Sequence, residues 1–165
     1  MKPSIIGFIG LAGSGKDTAA QALINNGYRR VAFADHIKFV AGQCGWDGAK
    51  DERGRKLLQD IGMALRAYDE DTWVNCVQDS NAFRFNHNLV ITDVRFLNEA
   101  KFVKRNNGIV IRIVRPGQVA ENHESELKQS EVPADYEVAN DGSVEDLHTK
   151  ILNTLEHAST SYQRP

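Results

Sequence analysis

The sequence holds two cysteines, Cys44 and Cys76, in 165 residues. They could form at most one bridge and sit in no Cys-x-x-Cys or metal-spaced cluster. This excludes a disulfide scaffold and a zinc-ribbon site and points to reduced thiols. Only four prolines occur, and neither a repeat nor a low-complexity tract marks a linker along which the chain would divide. No apolar run approaches the ~20 residues that span a bilayer. The first such run, Ile5–Gly10, is too short and too soon broken by glycine for a signal peptide. Charge of one sign is missing too. Lys and Arg number 20 against 22 Asp and Glu, a net −2, which argues against a chain that coats nucleic acid or an anionic membrane. The expectation is a soluble cytoplasmic protein, one domain over residues 1–165, with neither nucleic acid nor membrane as partner.

What is present is an alternation of short β-type runs with helical stretches. Ile5–Gly10 reads as a strand buried on both faces. Lys16–Asn26 reads as a helix closed by Gly27. Arg29–Ala34 is a second strand, after which Asp35 caps a helix over His36–Gln43. Glu52–Tyr68 is helical, with Leu57, Leu58, Ile61 and Leu65 three and four apart as its apolar face. A helix over about Thr72–Ala82 follows, then a strand Asn88–Thr92, a helix Phe96–Arg105, a strand Ile109–Val114 and a short strand Tyr136–Ala139. Ser143 caps the last helix, with Glu145 and Asp146 in its first turn. Strands alternating with helices imply a parallel sheet covered on both faces, an α/β three-layer domain.

The strongest chemical signal is Gly10-Leu11-Ala12-Gly13-Ser14-Gly15-Lys16-Asp17-Thr18, between a buried strand and a helix. Glycines let the backbone fold round an oxyanion with N–H groups pointing inward. The helix N-terminus adds partial positive charge, and Lys16 adds a full one for β- and γ-phosphates. Asp17 stands where such loops usually place a hydroxyl for Mg²⁺, and Thr18 follows. Asp17 either serves the metal, directly or through water, or orients the acceptor. NLVITDVR delivers Asp93 at a strand's C-terminal end, the place of a second carboxylate on the Mg²⁺ side or, alternatively, of a cap for the following helix. Arg95 and Glu99 come just after it.

GLAGSGKDT, AFADHIK, RKLLQDIGMALR with DEDTWVN, VITDVRFLNEA, IRIVRPG, HESE and YEVANDGSVEDL follow one another in an order that resembles the deoxynucleoside monophosphate kinases of bacteriophages, over Ile5 to about Leu155. The resemblance implies a P-loop kinase fold: a five-stranded parallel sheet in the order 2-3-1-4-5, helices on both faces, and a lid over about residues 116–133. It also implies transfer of the γ-phosphoryl of ATP, with Mg²⁺, to a deoxynucleoside 5′-monophosphate. The nearest alternatives are a small-metabolite kinase of the phosphomevalonate type and, further off, a nucleotide-hydrolysing switch.

Roles follow for named residues. On the donor side stand Ala12, Gly13, Ser14, Gly15, Lys16, Asp17 and Thr18, with Asn140 and Asp141 beside the adenine by resemblance. Asp17, Thr18 and Asp93 are the candidates for the metal. An acceptor phosphate calls for cations, for which Lys38, Arg53, Arg66 and Arg95 are candidates, with Glu99 nearby. Trp73 either stacks on the base or anchors its own helix. Arg55 reads as a solvated charge on a helix face. Arg115, at the root of the lid, is the expected transition-state cation, and His123 and Glu126 organise the lid around it. Partners are small nucleotides; the oligomeric state is left open, a homodimer included.

Overall fold

Five short apolar runs become one parallel sheet in the computed structural model, which describes residues 3–118 and 124–161. The strands are β1 (Ile5–Ile9), β2 (Arg29–Val31), β3 (Leu89–Ile91), β4 (Ile109–Val114) and β5 (Tyr136–Ala139). Their order, β2-β3-β1-β4-β5, is the expected one. Ile5 pairs with Leu89 and Ile6 with Ile109, so β1 lies at the centre. Every residue of β1 is buried, as an inner parallel strand with helices on both faces requires.

Alternation along β1 divides the core. Ile6 and Phe8 point to one layer, where they meet Leu23 of helix α1 (Lys16–Ile24) and Leu147 and Ile151 of helix α8 (Val144–Ser161). Ile5 and Ile9 point to the other, with Trp73 and Val77 of α4 (Thr72–Gln78) and Phe102 and Val103 of α6 (Leu97–Arg105). Gly7 faces this second layer, where a Cβ would stand 3.0 Å from methyls of both Val94 and Val103. Emptying either layer by one Leu→Ala change would cost about 2–5 kcal/mol.

The largest departures from the sequence reading are two boundaries and one buried face. The second strand stops at Val31, and α2 (Phe33–Gln43) begins behind Ala32, which offers no side-chain cap. The cap comes from Asp93, sixty positions away, whose two carboxylate oxygens accept from Phe33 N at 2.9 Å and Ala34 N at 2.8 Å. Asp93 thus caps α2 rather than α6, and Asp35 sits inside the helix. The helix expected over Thr72–Ala82 breaks at Ser80, which caps a short α5 (Asn81–Arg84) through Phe83 N. In α3 (Glu52–Tyr68) the apolar positions Leu57 and Leu65 face solvent, while Gly54 and Gly62 are buried. Other parts of the chain press on those glycines: a Gly54 Cβ would run into the Ala49 carbonyl oxygen and stand 3.1 Å from the Trp46 indole nitrogen, a Gly62 Cβ would stand 3.2 Å from Ile37 Cδ1, and Trp73 Nε1 donates to Gly62 O at 3.0 Å.

Two further caps match expectation. Ser143 Oγ accepts from Asp146 N at 3.1 Å and Asp146 returns a bond to Ser143 N at 2.9 Å, a reciprocal pair that starts α8. A helix α7 (Glu124–Glu131) occupies part of the polar segment before β5. Its C-terminal end is tied to β4 by Arg112, which donates to Gln129 O at 3.3 Å and Val132 O at 2.6 Å. No helix among the described residues is long and apolar enough to cross a membrane.

Candidate active site

The loop between β1 and α1 is shaped by backbone needs. Gly13 and Gly15 have φ of +75° and +100°, a region that disfavours residues with a Cβ. At Gly15 a Cβ would also collide with the Asn140 amide nitrogen. That nitrogen instead donates to Ser14 O at 2.9 Å and fixes the loop to the end of β5. Ser14 N closes a turn onto Leu11 O at 3.1 Å. Helix α1 has no side-chain cap, so the N–H groups of its first turn lack the partner a helix start usually supplies. The buried Ser14 hydroxyl also has no hydrogen-bond partner among the described residues. Uncapped N–H groups around a glycine cradle fit a phosphate oxyanion. Lys16 folds over the cradle, its Nζ donating to Gly10 O at 2.6 Å and Leu11 O at 2.7 Å.

A cavity of about 520 Å³ runs from this loop to α3, a size suited to a small ligand. Ala12, Gly13, Lys16 and Asp17 line one end. Lys38, Arg66, Trp73, Asp93, Arg95 and Glu99 also line it, so the loop and the strand-end carboxylate share one crevice, as parallel α/β sheets arrange their ligands. Asp93 is held by the two amides of α2. Burial nonetheless pushes its carboxyl above the ordinary value, outweighing those amides and the charge of Arg95. Asp17 is exposed at the mouth.

The far wall is built on a buried ion pair. Glu99, 2% exposed, takes Arg66 Nη2 on Oε1 at 2.5 Å and, on Oε2, the N–H groups of Arg95 at 2.7 Å and Phe96 at 3.1 Å. Burial raises its carboxyl to about 7 against the pull of Arg66 and those amides. Arg66 also lies 3.8 Å over the Phe96 ring and bonds Asn98 Oδ1 and Glu70 O, each at 3.1 Å. One carboxylate therefore fixes α3, α6 and the turn that carries Arg95.

Some expected residues stand elsewhere. Arg53 is exposed on α3 and does not line the cavity, whereas Arg55 does. Trp73 is 1% exposed, bonded to Gly62 and packed in the core, so it is an anchor whose edge reaches the cavity wall. Asp141 pairs with Lys150 at 2.5 Å on the surface, and that partner holds its carboxyl below the usual range. The Thr18 carbonyl oxygen lies 2.9 Å from His148 Nε2, linking α1 to α8. Arg115 Nη1 reaches Gly13 O at 3.4 Å, and Gln118 Nε2 donates to Ala12 O at 2.8 Å, so the root of the expected lid rests on the glycine loop. His123 and the Glu126 side chain lie outside the described residues.

Sequence reasoning missed Arg30. It bonds Asp35 at 2.7 Å, and Asp35 takes Lys38 on its other oxygen at 3.0 Å. Burial alone would raise the Asp35 carboxyl, but these two cations hold it below its ordinary value. Asp17 and Asp93 add to the negative field on Arg30. The signal was available: Arg30 stands one residue before the end of a strand whose C-terminal edge opens on the crevice.

The deoxynucleotide monophosphate kinase family model matches residues 49–151. The chain belongs to this family. The matched stretch carries Arg66, Asp93, Arg95, Glu99, Arg115 and Asn140. A protein of Acanthamoeba polyphaga mimivirus with the same kinase designation is 29% identical over 188 residues, covering 94% of this chain and 97% of its own length. The deoxynucleotide monophosphate kinase of Enterobacteria phage T4 is 29% identical over 110 residues, 62% of this chain and 45% of that protein, so the chain spans just under half of it. In fold the chain resembles the dephospho-CoA kinase of Campylobacter jejuni, with a TM-score of 0.58 at 13% identity over 97% of this chain and 99% of that one.

Proposed function

We propose that the protein transfers the γ-phosphoryl group of ATP, with Mg²⁺, to a deoxynucleoside 5′-monophosphate. An oxygen of the acceptor's phosphate forms the new bond to phosphorus while the bond to the β-phosphate oxygen breaks, giving two diphosphates. The observation that carries this reading is the single cavity joining the glycine loop to the cation-bearing wall of α3, in a chain of the deoxynucleotide monophosphate kinase family. Its two ends suit two phosphate-bearing ligands meeting in line. The family match leaves no observation favouring a small-metabolite kinase or a switch.

The uncapped N–H groups of α1 and Lys16 hold the donor's phosphates, and Asn140 keeps the loop in shape for them. Among the described residues no three His, Cys, Asp or Glu side chains cluster as a metal cage. That suits Mg²⁺, which keeps several waters and takes only one or two carboxylates beside substrate phosphates. Asp17 and Thr18, with Asp93 behind them, are the residues that would hold it, and it would neutralise charge between the β- and γ-phosphates. Arg95 grips the acceptor's phosphate, aided by Lys38 and by Arg66 in its fixed position. Arg115 stabilises the transferring group when the segment 116–133, with His123 and Glu126, closes as a lid and excludes water. The whole of 1–165 acts as one domain in the cytoplasm, that of the host if the chain is of phage origin.

The test is direct. Purified protein with ATP, Mg²⁺ and each of the four deoxynucleoside monophosphates should yield the corresponding diphosphate and ADP in equal amounts with at least one of them. ADP formed at the same rate without acceptor would overturn the reading.

A further inference from the structure

On α3, Arg55, Leu58, Gln59, Gly62, Met63 and Arg66 recur three and four residues apart and form one stripe along the cavity. Several polar groups around this stripe are already engaged. Arg66 is held by Glu99 and Asn98, the Trp73 indole N–H by Gly62 O, and Arg55 Nε by Lys50 O at 3.0 Å. Gln59 differs. It is half-buried and lines the cavity, and its amide makes no hydrogen bond among the described residues. Its neighbours on the wall, Leu58, Met63 and Ile37, are apolar.

We propose that Gln59 reads the base of the acceptor nucleotide, its amide bonding the pairing edge of the base while the apolar side chains cover the faces. The proposal rests on the function given above and adds the residue that meets the base. A phosphate offers only acceptor oxygens and is met by cations. A neutral amide, with one donor and one acceptor side by side, matches a base edge on which donors and acceptors alternate. Thymine and guanine present a carbonyl oxygen beside a ring N–H. Adenine and cytosine present an amino group beside a ring nitrogen. Rotating the amide by half a turn fits either pattern, so Gln59 contacts the base without choosing between keto and amino classes. A carboxylate at the same place is different, because it has two acceptors and no donor. Only guanine offers two donors side by side, its ring N–H and its amino group.

Gln59→Glu should therefore shift selectivity toward guanine. The experiment measures kcat/KM of wild type, Gln59→Glu and Gln59→Ala for all four deoxynucleoside monophosphates, with KM for ATP as control. The expected result for Gln59→Glu is a rise of about tenfold in the ratio of dGMP to each other acceptor, the discrimination one bidentate pair supplies. Gln59→Ala should lower kcat/KM for every base the wild type uses, with KM for ATP unchanged. Ratios between substrates cancel any loss of folded enzyme. Ratios that stay within twofold of wild type, or a shift toward another base, would overturn the proposal and leave the kinase reading standing. Wild type that phosphorylates none of the four would overturn both.

Discussion

Glu99→Gln tests which force governs the buried ion pair at the back of the cavity. Glu99 is almost wholly withdrawn from water, yet a guanidinium and two backbone amides touch it. Desolvation and pairing push its titration in opposite directions. Desolvation prevails here, and the carboxyl titrates at about 7 instead of near 4.5. Between those values the unfolded chain has lost the proton that the native state still binds. The stability that Glu99 contributes is therefore greatest below pH 4.5, falls as pH rises through the window, and levels off above about 7. At 1.36 kcal/mol per unit the total fall is about 3 kcal/mol. Glutamine has the same shape, keeps an oxygen for the N–H groups and does not titrate. Urea unfolding of both proteins at pH 4.5, 5.5, 6.5 and 7.5 isolates the effect in their difference, since every other titration cancels. The variant should gain on the wild type by about 3 kcal/mol from the lowest pH to the highest. A difference that does not move, or moves the other way, would mean that Arg66 and the amides hold the carboxylate ionised and that the desolvation argument fails.

Three further outcomes follow from the site. Lys16→Ala should fold normally and lose more than tenfold in kcat, since it removes a cation from the donor's phosphates; retention of over a tenth of wild-type kcat, a loss of under ~1.4 kcal/mol in barrier, would refute the assignment of the loop. Asp93→Asn should lower unfolding free energy by about 1–3 kcal/mol without any nucleotide, because an amide group then faces an N–H of α2 that the carboxylate accepted; unchanged stability in denaturant would mean that the cap contributes nothing. Arg95→Ala should chiefly raise KM for the monophosphate and Arg115→Ala chiefly lower kcat, by ~10³-fold or more; steady-state kinetics that show the reverse pattern would exchange their roles.

The features legible in the sequence are those whose cause is local. The glycine loop declares itself because one short string holds the positive-φ positions, the cation and the helix start. The strand order followed from the resemblance, and Ser143 from a cap three residues from its partner. The cap of α2 had no such signal: Ala32 is mute, and the acceptor oxygens come from Asp93 across the sheet. The apolar positions of α3 misled for a related reason. Ala49, Trp46, Ile37 and Trp73, all outside the helix, press on Gly54 and Gly62 and make glycines its buried positions, and nothing within the helix announces that.

The exchange of Arg53 for Arg55 shows how far the argument from spacing could have gone. At about 100° per residue, Arg53 lies roughly 200° round the helix from Arg55, and Arg55 lies only about 20° from Arg66. Any sequence argument that sends Arg66 to the cavity must therefore send Arg55 there and turn Arg53 to solvent, which is where the structure has them. The same geometry places Gln59 between those two arginines on the cavity side. A glutamine at that point of a helix otherwise reads as one more polar surface residue. It becomes a candidate for contact with the base only because the glycines, the buried Glu99 and the Trp73 anchor together turn this stripe inward.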